Sequence, residues 1–288
     1  TGHIIEFVES TVLDSSSAYK TIERLLEKIT IKSIASSQIN MQLNWEPEFL
    51  SELSDHAQRW LISSDDKERI IRHYLLINDI VTTIPVNVRA ISMVELLETT
   101  FAAVYENSVA GADPLAENRT LLQTLAIYVN NEDIAKLIGA DAASDLPPVR
   151  FIEVRLFRRQ DLAQHVASVA AITASLGPEL AALLSTTKET YDARYRSGFS
   201  FSDLTANSVG VALASRAMQD RDSAIEMQKR LSELKAESDF MPEVGNNRDG
   251  LPESTFNAIY ADSSSTEYIQ RMNEIREAIE AKPIFQDL

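Results

Sequence analysis

The stretch that decides the fold is Ser92-Met93-Val94-Glu95-Leu96-Leu97-Glu98-Thr99-Thr100-Phe101-Ala102-Ala103-Val104. Ser92 and Glu95 stand three residues apart, the spacing at which an N-cap hydroxyl and a carboxylate satisfy each other's backbone amides. Val94, Leu97, Phe101 and Val104 then recur at steps of three and four, which puts them on one face of a helix. A half-buried strand would alternate instead.

The same grammar recurs on either side. Residues 16–29 carry Ile22, Leu25, Leu26 and Ile29 on one face. A second helix begins at Pro47, a good first helical residue. A third follows Ser63-Ser64, with Ile70, Ile71, Tyr74, Leu75, Ile77 and Ile80, and ends before Pro85. Residues 118–130 and 131–138 read as helical pieces closed by Gly139. Further helices are expected from Arg158 to Ala174, from Pro178, from Phe201 to Met218, over 222–237, and near 252–260 and 265–281. Two places depart from the pattern. Ile39 to Trp45 is a short alternating run, and Val149 to Phe157 is rich in β-formers.

Composition agrees. Only 8 glycines and 9 prolines punctuate 288 residues, too few turn formers for a sheet-rich fold of this length. The expectation is an all-α or nearly all-α, bundle-like architecture with room for one short strand or hairpin. The stretch Asp141 to Pro148 is the best internal linker. It suggests an N-terminal helical region over 1–140 and a C-terminal helical domain over 149–288, which can also pack as one.

A net charge of −16 argues against a nucleic-acid partner, because binding needs Lys and Arg to displace phosphate counterions. The one basic cluster, Arg150, Arg155, Arg158 and Arg159, is small. The absence of cysteine removes disulfides, thiolate zinc sites, iron–sulfur clusters and Cys nucleophiles. No run reaches the roughly 18 apolar residues of a membrane span. No phosphate-binding glycine loop, HExxH, GxSxG or calcium loop is present. His3, His56, His73 and His165 are scattered, so neither a metal nor a cofactor is expected.

The chemistry-bearing residues concentrate between 158 and 210. Asp161 and His165 lie four apart on one helix face, where a carboxylate could orient an imidazole as a general base. A helix-surface ion pair or a satisfied core histidine is the more ordinary explanation of the two residues. Glu189 and Asp192 could divide acid and base roles. Thr186 with Glu189 also fits a capping box, and Lys188 can pair with Asp192. Ser200 and Asp203 match an N-cap with its third-position acid. Asn207 and Gly210, both unfavourable in a helix interior, point to a polar contact beside a close helix approach. The site expected from sequence is Glu189, His165 and Asp192 as the catalytic set, with Asp161, Asp203, Asn207 and Arg158 as a binding or buried polar network.

The order His165, Lys188-Glu189-x-x-Asp192, Gly198-Phe199-Ser200-x-x-Asp203-Leu204-x-x-Asn207-x-x-Gly210 resembles a pattern in uncharacterised bacterial exported proteins, including small envelope lipoproteins. Its Asp-Leu-x-x-Asn-x-x-Gly part is similar to the last helix of VanZ-like membrane proteins. The tail from Asp239-Phe240-Met241-Pro242 through Gly250-Leu251-Pro252-Glu253 to Pro283-Ile284 fits the first group. The resemblance covers roughly residues 150–285 and implies a periplasmic or exported protein. The expected function is a non-catalytic envelope binding or structural protein, with a protein or envelope ligand as partner. The alternative is a hydrolase of a cell-envelope polymer using Glu189 with His165.

Overall fold

The computed structural model describes residues 29–35, 38–43, 64–178, 181, 198–245, 247, 249–260 and 265–286. The chain divides into two units, Thr1–Leu61 and Ile62–Leu288. In the first, β1 (Ile29–Ala35) and β2 (Gln38–Leu43) form an antiparallel pair, with Ile29 opposite Leu43 and Ala35 opposite Gln38. The alternating run read from the sequence is β2. The helix expected from Pro47, and that over 16–29 but for Ile29, which opens β1, lie outside the described residues.

The second unit is helical. It runs α1 (Ser64–Thr83), β3 (Ala90–Ser92), α2 (Met93–Val109), α3 (Pro114–Val129), the single turns α4 (Ala135–Ile138) and α5 (Ala140–Ala143), β4 (Glu153–Arg155) and α6 (Gln160–Leu176). Then come α7 (Phe201–Ala217), α8 (Arg221–Ser232), a 3-10 turn (Glu237–Asp239), α9 (Glu253–Tyr260), α10 (Thr266–Glu280) and a second 3-10 turn (Pro283–Phe285).

The caps explain the boundaries. Ser92 Oγ accepts from the Val94 amide at 3.3 Å and Glu95 Oε1 from the Ser92 amide at 3.4 Å, so the capping box over 92–95 forms. Asp113 accepts from the Leu115 amide at 3.1 Å, with Pro114 at the first helical position of α3. That start is four residues earlier than apolar periodicity alone places it. α3 has buried residues on every face, including Glu117, Asn118 and Gln123, because α1, α2, α6 and α8 all pack around it. Its uniform burial hides the stripe that locates other helices.

One apolar core runs from Ile77 to Phe285 in sequence and takes residues from both sides of the Asp141–Pro148 stretch. α6 packs against α7 along a seam of small residues. A β-carbon on Gly210 would lie 2.7 Å from the Val166 carbonyl oxygen and 3.0 Å from the Ala170 amide nitrogen. The close approach expected at Gly210 is therefore a backbone contact.

The strand expected over Val149–Phe157 is only three residues long. β4 pairs in parallel with β3, Ile91 opposite Val154. The residues before it are occupied otherwise. Arg150 caps the carbonyls of Val81 and Ile84 at the end of α1, at 2.5 and 2.7 Å. The Tyr128 hydroxyl accepts from the Ile152 amide at 3.0 Å. The residues after it turn sharply, with Phe157 at φ 50° and Arg158 at φ 65°.

Candidate functional site

The N-termini of α6 and α7 meet, and their first turns carry most of the polar residues singled out in the sequence. Arg159, immediately before α6, holds the centre. Its Nε and Nη2 donate to the two oxygens of Asp161 at 3.1 and 2.6 Å. Nη2 also reaches Asp203 Oδ1 at 3.4 Å, and Nη1 donates to Asp249 Oδ2 at 3.0 Å. Three carboxylates from three separate chain segments thus share one guanidinium.

Asp249 comes from the loop before α9 and is fixed to the start of α7. Its Oδ1 accepts from Ser200 Oγ and from the Ser202 amide, both at 3.0 Å. Ser200 Oγ in turn accepts from the Asp203 amide at 3.1 Å, as an N-cap should. Phe199 and Leu251 exchange two backbone hydrogen bonds, at 2.8 and 2.9 Å. Gly198, at φ 87°, lies so close to Gly250 that a β-carbon would fall 2.5 Å from the Gly250 carbonyl carbon. That contact sets Asp249 beside the helix start.

Burial pushes the Asp161 carboxyl up, but the Arg159 hydrogen bonds and charge pull it further down, below the ordinary carboxylate range. Asp249 behaves alike: burial raises it, and the bonds from Ser202, Arg159 and Ser200 more than reverse this. Arg159 is pushed up, chiefly by its hydrogen bond to Asp161.

His165 sits one turn into α6. Its Nδ1 lies 2.9 Å from Asn207 Oδ1 and its Nε2 3.4 Å from Asp203 Oδ2. Each ring nitrogen thus faces an oxygen contributed by α7. In this arrangement the buried Asn207 Nδ2 has no partner. The sequence suggested Asp161 as the carboxylate orienting His165. The structure gives Asp161 to Arg159 and brings Asp203 and Asn207 across from α7 to flank the ring.

His165, Asp203, Asn207 and Asp161 therefore converge around Arg159. Arg158 is exposed. Glu189 and Asp192, with Thr186 and Lys188, lie outside the described residues. Among the described residues no three or more histidines and carboxylates are grouped to hold a metal ion, and no helix is long and apolar enough to cross a membrane.

A cleft of about 370 Å³ opens beside the network, walled by Phe157, Arg159, Glu243, Val244, Asn247 and Asp249. Its walls are tied down from outside. The Phe157 amide donates to Glu237 Oε2 at 2.8 Å, while Glu237 Oε1 accepts from Ser92 Oγ at 2.8 Å. Arg271 of α10 donates to Asn247 Oδ1. Arg159 and Asp249 are the residues that sequence reasoning passed over. Arg159 looked like one member of a surface basic cluster. Asp249 had no local signal beyond the glycine after it.

A second polar cluster joins α1 to α3 and had no signature in the sequence. Glu117 is fully buried and takes Arg72 Nη2 at 2.7 Å and Arg69 Nε at 3.5 Å, while His73 Nε2 lies 3.2 Å from Thr120 Oγ1 and 3.5 Å from Glu117 Oε2. Arg119 and Arg69 hold Asp66. The His73 pKa falls to about 3, first through burial and then through the Arg72 and Arg69 charges. Glu117 and Asn118 inside an apolar helix were the available clue, since a buried charge requires a partner.

Comparison with family models, with curated proteins and with solved structures finds no match for this chain.

Proposed function

We propose that this chain is a non-catalytic binding protein of the bacterial cell envelope, with its polar cluster acting as a lock that frames the cleft. The observation that carries the reading is that the charged groups of the cluster are committed to one another. Arg159 donates to three carboxylates, Asp249 also secures the start of α7, and both nitrogens of His165 face acceptors. A general base needs a lone pair free to take a substrate proton. Residues committed to each other instead hold α6, α7 and the 249 loop in register. The envelope assignment rests on the motif resemblance over residues 150–285.

One observation favours the alternative, a hydrolase of an envelope polymer using Glu189 with His165. The His165 and Asp203 side chains keep 15% and 18% of their surface exposed, so solvent reaches the pair.

The two readings separate in a complementation experiment. Glu189→Gln and His165→Gln are each measured for thermal stability and for rescue of the envelope phenotype of a deletion strain. The binding reading expects phenotype to follow stability in both. Loss of rescue at full stability in either variant overturns it and supports the hydrolase.

A further inference from the structure

We propose that residues 249–260 form a strap that opens and closes as one piece, held at one end by the Arg159 lock and at the other by an aromatic clasp under α9. Such a strap is compatible with either function considered above and goes beyond both.

α9 is a weakly seated helix. It buries none of its 8 residues, whereas every other helix of that length or more among the described residues buries at least three. Two partly buried rings seat it. Phe256 packs on Phe199 at 4.5 Å and Tyr260 on Phe201 at 5.1 Å between ring centres. Tyr268 of α10 closes the cluster, 6.0 Å from Phe256 and 6.4 Å from Tyr260. A helix this short does not persist alone in water. Leaving the aromatic floor and losing its helical bonds are therefore one event for α9. Few buried contacts place such an event at the low end of the stability range.

The other end is polar. Asp249 takes Arg159 through Oδ2, and the Ser200 hydroxyl and Ser202 amide through Oδ1. The two ends are joined without slack. Leu251 exchanges its backbone bonds with Phe199, and the Pro252 carbonyl already accepts from the Thr255 and Phe256 amides at 2.9 Å. Phe199 is thus gripped twice, its backbone by Leu251 and its ring by Phe256. Each anchor keeps the other at high local concentration. Linkage runs both ways: whatever draws Arg159 from Asp249 favours the open strap, and whatever holds the strap open loosens Asp249.

Ser202 supplies the reporter. It is the second residue of α7, so its amide has no acceptor inside the helix and depends on Asp249. The test measures amide hydrogen exchange by NMR in the full chain, expressed as protection relative to an unstructured peptide. Ser202 and the α9 amides from Phe256 to Tyr260 should share one protection factor within about threefold, below that of α3. Phe256→Ala removes the clasp and should lower protection at Ser202, on another helix, about tenfold. Arg159→Gln removes the lock and should lower protection in α9 by about five- to tenfold. Tyr260→Ala, at the far end of α9, should repeat the effect at Ser202, and with Phe256→Ala it decides the question should the arginine variant not fold. A loss confined to α9 in the aromatic variants, a loss confined to the Ser202 end in Arg159→Gln, or α9 protection equal to that of α3 would each overturn the proposal.

Discussion

Replacing Gly210 by alanine tests how the two central helices meet. Alanine is better than glycine in a helix by about 1 kcal/mol, so propensity alone makes Gly210→Ala stabilising. The packing says otherwise. The new β-carbon would sit 2.7 Å from Val166 O and 3.0 Å from Ala170 N, the two ends of one turn of the α6 backbone. Ordinary contact needs roughly 3.5 Å, and backbone atoms inside a helix cannot rotate away. α6 and α7 must therefore separate by several tenths of an ångström along a seam built from buried Ala163, Ala167, Ala170, Ala206 and Ala214. Overpacking of this kind costs about 1–3 kcal/mol, and loosened seam contacts add to it. Net of propensity, Gly210→Ala should lose about 1–2 kcal/mol, and the melting temperature should fall by roughly 2–6 °C. Urea unfolding followed by far-UV circular dichroism, with a thermal scan beside it, measures both. The third contact, at 3.1 Å, is with Val169 Cβ, which alanine keeps, and the two tighter ones are with backbone, so Val169→Ala in the same chain should not rescue the loss. An alanine variant as stable as the parent, or rescue by Val169→Ala, would refute the reasoning.

Four further outcomes follow from the charged clusters and the strained turn. His73 is neutral in the folded chain down to about pH 3 but protonates near 6.5 when unfolded, so the unfolded state binds more protons between these values. Stability is therefore lost as pH falls through that window, by at most roughly 4–5 kcal/mol. His73→Gln should flatten this limb, and an unchanged slope between about pH 6 and 4.5 would sink the assignment. Asp161 and Asp249, whose pKa values are depressed, contribute only above their unfolded values, and their share disappears at lower pH, from about 4 downward. Arg159→Ala strands three carboxylates at a site that is a third exposed, so solvent relieves part of the penalty and about 1–3 kcal/mol is lost. Arg159→Lys should recover less than half of it, because one ammonium cannot reproduce the two-pronged bond to Asp161. Full stability of Arg159→Ala in urea would show the cluster to be ornamental. Arg158→Gly relieves a left-handed residue on the surface and should stabilise by up to about 1 kcal/mol. A clear destabilisation would mean that the Arg158 side chain holds something in place.

Local chemistry was legible in the sequence, and encounters between distant segments were not. The caps at Ser92 and Ser200 need only residues within one turn, so their spacing announces them. Gly210 and Asn207 were readable as misfits, because each is unfavourable in a helix unless a neighbour explains it. The neighbour itself was hidden: His165 faces Asn207 across 42 residues, and Arg159 meets Asp249 across 90. Asp161 looked like the partner of His165 because it shares a helix face, and Arg159 takes it instead because a bidentate guanidinium outcompetes an imidazole four residues away. Asp113 and Pro114 are a strong start signal that apolar periodicity overlooks, since α3 is buried all round.

Glu237 ties the order of synthesis to the completion of the cleft. Its two oxygens reach back 145 residues to Ser92 and 80 residues to Phe157. As the chain leaves the ribosome, the helix start at Ser92 and the strained turn at Phe157 are both present long before their shared acceptor exists. At 5–20 residues per second the turn waits about 4–16 s for Glu237. Until then the turn is closed by the mutual Leu156–Arg159 backbone hydrogen bonds, at 2.9 and 3.0 Å, while the Phe157 amide lacks its side-chain acceptor. The cleft is thus among the last parts of the molecule to mature, and a nascent or prematurely ended chain carries its helices without it.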